Sequence, residues 1–298
     1  MRLNFFPPRE PFTEPMVVSI GVFDGIHLGH QKIIQRVKEI GREKGYHPAI
    51  LTFPYPPSWY MKDMEPVPLL MSPMDKLKTL YTIGVKTVFY LNFYEIKDFS
   101  PSDFLIHYLL PHSIKHIVVG ENFHFGKKRE GDVHLLKNIC EKKGVGVDII
   151  SNLSIKGETV SSSRIRELAK EGKLKEVKEL LGRSFSVTGK VVSGKRIGKQ
   201  LGFPTINLKL KHYALPPSGV YAGRVKAKKE SWLAAIDLRK LRKYWQLEAH
   251  LLGFNGELYR RKVEVSIEEF IRERKKIKDL AVLRFLIQED IKRVKELL

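Results

Sequence analysis

The chain has 298 residues, a formal net charge of +20 and a single cysteine, Cys140. This length is enough for two domains with separate hydrophobic cores. One cysteine excludes an intrachain disulfide and is typical of a reducing compartment. The sequence contains neither a run of about 20 apolar residues nor a charged-then-apolar leader, so we expect an untargeted cytoplasmic protein without a membrane span.

The positive charge is concentrated in the C-terminal part of the chain. Up to Arg183 there are 27 Lys and Arg residues against 21 Asp and Glu, a balance of +6, and beyond it 26 against 12, a balance of +14. Such a surface attracts polyanions, so nucleic acid, an acidic membrane and phosphorylated small molecules are all open as partners. Abundant Lys and Glu also suit the surface of a thermophile protein, and net charge does not separate these interpretations.

The first distinctive stretch, residues 21–30, reads Gly-Val-Phe-Asp-Gly-Ile-His-Leu-Gly-His. A β-branched run precedes it and apolar residues at helical spacing follow it, which predicts a strand, a turn and a helix. The first N–H groups of a helix lack intrahelical partners and favour a phosphate. Gly21, Gly25 and Gly29 leave room for such an anion, and His27 and His30 could donate hydrogen bonds to oxygens that gain negative charge during displacement at phosphorus.

Two other interpretations of the histidines remain open at this point. They could be ordinary turn residues, since short motifs also match by chance. They could instead ligate a metal, although zinc usually takes further Cys or His ligands and Cys140 lies far away in the sequence.

Strand-like and helix-like segments alternate as far as residue 150, which predicts a doubly wound parallel sheet with helices on both faces. Ligands bind beyond the carboxyl ends of the strands in such sheets. Two further predicted strand ends carry aromatic side chains. Residues 53–60 are Pro-rich and form either a stiff surface loop or a stacking surface for a flat heterocycle, and residues 120–126 read Gly-Glu-Asn-Phe-His-Phe-Gly.

Residues 161–166, Ser-Ser-Ser-Arg-Ile-Arg, stand at the start of a predicted helix. A serine there is commonly an N-cap. Three hydroxyls followed by two arginines favour a second phosphate-binding group at a helix N-terminus.

After Arg183 the pattern changes to short strands with Gly and Pro turns, which predicts a small antiparallel barrel closed by a terminal amphipathic helix. A loop that combines glycines with Lys195, Arg196 and Lys199 could wrap phosphates, and it is not a Walker A sequence. Thr205 and Asn207 alternate by two on the next predicted strand, so both oxygens share one face and could hold Mg²⁺. A lone carboxylate such as Glu248, in Leu-Glu-Ala-His-Leu-Leu, is usually solvent-facing in an alternating strand.

These motifs together resemble the bacterial bifunctional riboflavin kinase/FMN adenylyltransferases (FAD synthetases), members of the His-x-Gly-His nucleotidylyltransferase superfamily. The resemblance covers nearly the whole chain and rests on residues 21–30, residues 120–126, the serine–arginine segment, Phe-Pro-Thr-x-Asn at 203–207 and Glu-x-His-Leu-Leu at 248–252. It implies a Rossmann-like adenylyltransferase domain over residues 1–183 and a riboflavin kinase barrel over residues 184–298.

The resemblance also implies the roles of individual residues. The catalytic residues would be His27, His30 and Glu248, with Glu248 accepting the proton of the riboflavin 5′-hydroxyl. In the adenylyltransferase site, ATP would contact Gly21, Phe23, Asp24, His27, His30, Asn122, Ser162, Ser163 and Arg166, and flavin would contact Phe53, Pro54, Tyr55, Asn122 and Phe125. In the kinase site, ATP would contact Gly189, Lys195, Gly198, Gly202 and Thr205, and Thr205 and Asn207 would bind Mg²⁺.

The predicted activity is phosphorylation of riboflavin to FMN and adenylylation of FMN to FAD and pyrophosphate, with Mg²⁺ at both sites and no covalent intermediate. We expect small-molecule partners, no nucleic acid or membrane, and a monomer or weak homo-oligomer. The sequence departs from the family at three places: residues 234–245 replace the Asn-Ile-Gly and Pro-Thr-Phe segments, Pro54-Tyr55 replaces Glu-Pro, and Gly253 replaces an aspartate. The alternatives are another His-x-Gly-His enzyme, such as a different adenylyltransferase or a class I aminoacyl-tRNA synthetase fragment, and an RNA-binding barrel fused to an α/β domain.

Overall fold

The computed structural model describes residues 1–8, 12–194, 197–277 and 279–298, except for the side chains of residues 197 and 199. The contacts divide the chain into two compact units. The first unit comprises Met1–Val67 and Pro73–Ser161, and the second comprises Pro68–Ser72 and Ser162–Leu298. Within the described residues, no helix is both long and apolar enough to span a membrane.

The first unit is built on a parallel sheet with the strand order β1-β4-β3-β2-β5-β6. Its strands are β1 (Arg2–Phe6), β2 (Met16–Ile20), β3 (His47–Thr52), β4 (Thr87–Leu91), β5 (Ile114–Gly120) and β6 (Gly146–Ile150). The central strands are apolar runs, and every residue of β2 and β4 is buried. Continuous burial of this kind is expected where helices cover both faces of a parallel sheet.

The segments between these strands are mostly helical. They contain α1 (Leu28–Lys44), α2 (Pro73–Thr82), the short α3 (Phe93–Ile96) and α4 (Pro101–Asp103), and α5 (Val133–Lys142), with a π-helical turn at Phe104–Leu109 and 3₁₀ turns at Pro57–Trp59 and Lys127–Arg129. A two-stranded ribbon of β7 (Ser154–Ile155) and β8 (Glu158–Thr159) follows β6.

Alternation along β2 separates two apolar clusters. Val17 packs with Val37 and Ile40 of α1 on one face of the sheet. Val18 packs on the other face in a larger cluster that includes Leu136 of α5 and the aromatic residues of the π-helical turn. Side chains of a strand point alternately to opposite faces, so β2 is held from both sides and its carboxyl end is a fixed point for the turn that follows.

The second unit contains a closed antiparallel barrel with the strand order β10-β13-β12-β11-β14-β9. Its elements are α6 (Ser162–Lys170), α7 (Leu174–Leu181), β9 (Ser186–Val192), α8 (Ile197–Gln200), β10 (Thr205–Leu210), β11 (Gly219–Ala227), β12 (Glu230–Lys240), β13 (Trp245–Leu251), β14 (Lys262–Arg272) and α9 (Leu280–Leu297). Strand β13 buries Leu247, Ala249 and Leu251 and leaves the alternate residues partly exposed, so its polar side chains point away from the barrel interior.

The predicted fold class is confirmed in both halves: a parallel sheet with helices, then a small antiparallel barrel with a terminal helix. Burial in the terminal helix α9 centres on Asp290 and Val294, whereas Leu280 at its start is 56% exposed. The contacts group α6 and α7 with the barrel, whereas the domain boundary predicted from sequence lies after Arg183 and stays a prediction.

Candidate functional site

Three loops of the first unit begin at the same edge of its sheet. Strand β2 pairs in parallel with β3 on one side and with β5 on the other. The loops that start at Gly21, Phe53 and Glu121 therefore leave neighbouring strand ends, which is where ligands bind in open parallel sheets. This places together the glycine–histidine turn, the Pro-rich aromatic loop and the segment around Asn122.

The turn after β2 has an unusual backbone. Phe23 and Ile26 have φ angles of 50° and 40°, and Gly25 between them has 82°. Positive φ is uncommon for residues with side chains and is an outlier for a β-branched one such as Ile26. Phe23 and Ile26 are both buried, so packing of their side chains holds the strained backbone. Strain of this kind concentrates at ligand-binding sites.

His27 and His30 form a stacked pair at the start of α1. His27 is the N-cap of the helix, and its Nδ1 accepts a hydrogen bond from the backbone N–H of His30 at 3.3 Å. The two rings lie 3.6 Å apart with an angle of 19° between their planes. A Cβ atom on Gly29 would lie 3.2 Å from the His27 ring, so glycine lets this ring fold back over the first turn.

The hydrogen bond to His27 fixes its tautomer. Because Nδ1 accepts, the proton of the neutral ring is on Nε2. Burial first, and then the nearby charges of His27 and Lys76, hold the pKa of His30 well below 6.5. At neutral pH the His30 ring is therefore uncharged, and the stacked pair lies at a helix N-terminus, an arrangement able to bind phosphate oxygens.

The turn also contains a buried carboxylate. Asp24 is 2% exposed. Burial lowers the pKa of the neighbouring Lys76 to about 8, and the negative charge of Asp24 opposes this shift. Gly21 packs closely under the turn, since an added Cβ would lie 3.2 Å from the ring of Phe23. Sequence reasoning missed Lys76, because a lysine in an amphipathic helix is usually solvated.

The loop after β3 is packed through its aromatic rings. Phe53 is partly buried against the core, and its ring meets Phe93 edge to face with centroids 6.1 Å apart. Tyr55 stacks on Trp59 at 4.9 Å, and its backbone N–H donates to the Tyr60 hydroxyl. The predicted flavin contacts Phe53, Pro54 and Tyr55 therefore belong to an ordered aromatic surface.

The segment after β5 separates into an exposed and a buried part. Asn122 is exposed, and its carbonyl oxygen lies 3.0 Å from Nδ1 of the His124 ring. Phe125 is buried in the core, stacks on Phe123 at 5.5 Å and exchanges backbone hydrogen bonds with Gly131. Asn122 is therefore accessible and its ligand contact stays a prediction, whereas the burial of Phe125 favours support of the loop over direct contact.

Ser162 to Arg166 of the serine–arginine segment form the start of α6 and belong to the second unit. Ser162 is partly buried and Ser163 is exposed. Arg166 donates from Nε to the carbonyl oxygen of Pro68 at 2.7 Å, so part of its guanidinium holds the 68–72 segment. The assignment of Ser162, Ser163 and Arg166 to ATP stays a prediction from the motif.

The glycine loop of the barrel passes close to Asn207. A Cβ on Gly194 would lie 2.4 Å from the amide nitrogen of Asn207, and one on Gly198 would lie 2.4 Å from the carbonyl oxygen of Phe203. Gly202 has a φ of 89°, and Gly189 packs against leucines of β10. Lys195, the predicted phosphate contact of this loop, lies outside the described residues.

Polar side chains form a row across three strands on the outer face of the barrel. Asn207 of β10 lies opposite Glu248 of β13, and Glu248 lies opposite Asp237 of β12. Directly opposed residues of an antiparallel pair share a face, so one amide and two carboxylates lie side by side. Thr205 pairs with His250 in the neighbouring row, which places Thr205 and Asn207 on the same face as predicted.

Gln246 and two arginines surround the carboxylates. The side-chain amide of Gln246 donates from Nε2 to Oε1 of Glu248 at 2.6 Å and to Oδ1 of Asn207 at 3.4 Å. Its side-chain oxygen, Oε1, accepts from Arg239 at 2.6 Å. Arg274 donates to both oxygens of Asp237 at 2.9 and 3.1 Å. Burial and then the charge of Asp237 raise the pKa of Glu248 against the opposing effects of the arginines and Gln246. A carboxylate with a raised pKa is a better proton acceptor.

The donor set beside Glu248 suits a hard cation. Within the described residues, no group of three or more His, Cys, Asp or Glu side chains is placed to hold a metal ion. The hydroxyl of Thr205 and the amide oxygen of Asn207 are oxygen donors on one face, and Mg²⁺ is typically bound by a few protein oxygens together with substrate phosphates. The residues present therefore fit a metal delivered with ATP.

Comparison with known proteins accounts for both units. The family model for FAD synthetase matches residues 9–164, and the model for riboflavin kinase matches residues 181–298. Bifunctional riboflavin kinase/FMN adenylyltransferases from Buchnera aphidicola and Bacillus subtilis are 32% and 30% identical. The alignment with the Buchnera protein covers 94% of this chain and 93% of the relative. The alignment with the Bacillus protein covers 92% of this chain and 90% of the relative.

A solved structure has the same fold. The crystal structure of a protein described as a macrolide-efflux protein from Streptococcus pneumoniae matches with a TM-score of 0.86, over 95% of each chain, at 24% identity. A likeness at that identity supports the fold alone. The family is identified by the two family models and by the relatives of 30% identity or more. The chain belongs to the bacterial bifunctional riboflavin kinase/FMN adenylyltransferase family.

Proposed function

We propose that the chain catalyses the last two steps of FAD formation. It transfers the γ-phosphoryl group of ATP to riboflavin, giving FMN and ADP, and then transfers AMP from a second ATP to FMN, giving FAD and pyrophosphate. The observation that carries this proposal is the match of both family models, one to each half of the chain. The stacked histidines and the Asn207–Glu248 row supply a phosphate-binding turn in one half and a base beside hard oxygen donors in the other.

In the adenylyl transfer, the FMN phosphate oxygen attacks the α-phosphorus of ATP and pyrophosphate leaves. His27, His30 and the N-terminal amides of α1 stabilise the negative charge that grows on the phosphate oxygens. Gly21, Phe23 and Asp24 shape the turn, and Asn122 contacts nucleotide and flavin. We retain Ser162, Ser163 and Arg166 as further ATP ligands on the strength of their motif. Phe53, Pro54 and Tyr55 form the flavin side, and Phe125 supports the loop that carries Asn122 from within the core.

In the kinase step, Glu248 accepts the proton of the riboflavin 5′-hydroxyl as this oxygen attacks the γ-phosphorus. Gln246 orients the carboxylate through its 2.6 Å hydrogen bond. We retain Gly189 of β9, and Lys195, Gly198 and Gly202 of the segment that follows it, as contacts of ATP on the strength of their motif. Thr205 and Asn207 would hold Mg²⁺, which when bound neutralises phosphate charge.

The setting of the reaction is part of the proposal. The substrates are small molecules, and we place the enzyme in the cytoplasm as a monomer or weak homo-oligomer that does not act on nucleic acid. The basic surface beyond Arg183 is consistent with anionic nucleotide substrates.

The test is direct. Purified protein is incubated with riboflavin, MgATP and inorganic pyrophosphatase, and the flavins are separated by chromatography. FMN should appear first and FAD after it. Absence of both products from folded protein would reject the proposal, and FAD formation from added FMN without any kinase activity would limit it to the first domain.

A further inference from the structure

A buried lysine ties the turn after β2 to the loop after β3. Lys76, in α2, is 1% exposed. Its Nζ donates to the carbonyl oxygens of Val22 at 2.7 Å, Phe53 at 2.8 Å and Pro54 at 3.5 Å. Val22 lies in the proposed ATP turn, and Phe53 and Pro54 lie in the proposed flavin loop. One side chain thus fixes the distance between the backbones that would carry the two substrates.

The contacts of Lys76 exclude a role as a direct ligand. An ammonium group has three N–H donors, and three backbone carbonyls of the protein accept from this one. Two of these bonds are short and the third is long, and the 1% exposure of Lys76 closes its ammonium group to a substrate phosphate. Lys76 therefore acts on the reaction through the loops it holds and through its charge behind the turn.

We propose that Lys76 is a positioning residue for adenylyl transfer, whose ammonium group holds the ATP turn and the flavin loop at the separation that in-line attack requires. This inference rests on the proposed function, in which His27 and His30 bind the ATP phosphates. In-line displacement depends on the alignment of the attacking and leaving oxygens, and misplacement by about 1 Å can cost about a hundredfold in rate.

The charge of Lys76 is necessary to the contact. A neutral amine has two N–H groups and a lone pair, and the lone pair would face a carbonyl oxygen. Burial lowers the pKa of Lys76 to about 8, with Asp24 acting in the opposite direction. Since the pKa of a cation is lowered, the charged form prevails below about pH 8 and is lost as the pH rises through that value.

Other groups around Lys76 have separate titration ranges. His30 of the turn titrates well below pH 6.5. From β4, the Tyr90 hydroxyl donates to Pro73 at the start of α2, and its pKa is raised to about 12. Neither group changes its charge near pH 8, so a fall in adenylyl transfer there would report on Lys76.

A second lysine of the same unit provides a matched control. Lys38 of α1 is partly buried and donates from Nζ to the carbonyl oxygen of Ile83 at 2.8 Å, beyond the end of α2. Like Lys76, Lys38 thus donates a hydrogen bond to a backbone carbonyl that is distant in sequence. That carbonyl belongs to neither the ATP turn nor the flavin loop. K38M removes a comparable tether without touching the ATP turn.

The experiment compares wild type, K76R, K76M and K38M in the full-length chain. FAD formation from FMN and MgATP is measured between about pH 6 and about pH 10, and riboflavin phosphorylation by the same samples is the internal control. We expect K76M to lower kcat/KM for adenylyl transfer by about tenfold to a hundredfold, with higher KM for FMN and ATP. K38M should stay within about twofold of wild type, and no variant should alter the kinase step.

The pH profile separates positioning from mere structural support. Wild-type adenylyl transfer should decline above about pH 8, and K76R, whose guanidinium stays charged, should retain activity without that decline. A wild-type profile that is flat through pH 8, a K76R profile with the same decline, or folded K76M with wild-type kinetics would each overturn the inference. If H30A also retains full FAD formation, the proposed site itself fails. If H30A is inactive while K76M equals wild type, only the role of Lys76 is rejected.

Discussion

Glu248 lies directly opposite Asn207 in the ladder between β13 and β10, and the side-chain amide of Gln246 contacts both. The proposed base and a proposed metal ligand are therefore held by one hydrogen-bond donor. We predict that E248Q lowers FMN formation by about 10²–10⁴, since general base catalysis typically contributes that factor. Conversion of added FMN to FAD should continue, because it depends on the other domain. Loss of both activities in folded E248Q would contradict separate sites.

The amide of Asn207 should determine the metal requirement of the kinase step. We predict that N207A raises the Mg²⁺ concentration needed for half-maximal FMN formation, because one of the proposed protein oxygens is removed. The measurement is a Mg²⁺ titration at saturating ATP. The control is Q246A, which disturbs the same network without removing a proposed ligand. An unchanged Mg²⁺ dependence in N207A would remove Asn207 from the metal site.

The glycine before His30 offers a test of the histidine geometry. We predict that G29A lowers FAD formation because the new Cβ would lie 3.2 Å from the His27 ring and displace it from the first turn of α1. FMN formation should be unaffected. G45A, at the opposite end of α1, is the control for protein stability, since Gly45 has a φ of 67° and alanine there is also strained. Equal effects of G29A and G45A on FAD formation would indicate a loss of stability alone.

The strand-end loops could be predicted from sequence because their signals are local. Glycines, β-branched runs and the start of a helical pattern occur within residues 17–40, and the parallel sheet then brings the loops to one edge. The shared face of Thr205 and Asn207 on the barrel could be predicted from strand alternation alone, because the two residues are two positions apart in β10.

Long-range contacts were beyond the reach of sequence patterns. The bond from Lys76 to Val22 spans 54 positions, and a lysine in an amphipathic helix gives no sign of burial. Strand β1 was not predicted from the sequence. Four of its five residues are exposed, and the segment lacks the continuous apolar run that predicts a buried strand. Phe125 was assigned to flavin from its motif, yet its ring lies in the core. Aromatic residues at a strand end pack inward or outward according to neighbours that only the folded chain supplies.

A buried ion pair should anchor the terminal helix to the barrel. Arg272 at the end of β14 donates from Nε and one terminal nitrogen to the two oxygens of Asp290 in α9, each at 2.7 Å. Asp290 is 5% exposed. Loss of the arginine would leave this carboxylate unpaired, so R272M should lower the free energy of unfolding by about 3 kcal/mol. E296Q, which breaks the exposed pair with Arg293, should cost less than about 0.5 kcal/mol. Urea titration of both variants checks the difference, and equal effects would contradict it.

The link between Lys76 and His30 can be measured without any turnover. Lys76 is one of the charges that lower the pKa of His30, after burial and His27. K76M removes that charge, so the pKa of His30 should rise relative to wild type, while K76R should leave it low. Titration of the ring signals of the histidines by NMR, with H30A to assign the His30 resonance, gives both values. K38M again serves as the control, and its His30 should titrate as in wild type. A lowered or unchanged pKa in folded K76M would show that the charge of Lys76 does not reach the turn, and would leave burial and His27 as the causes that keep His30 neutral.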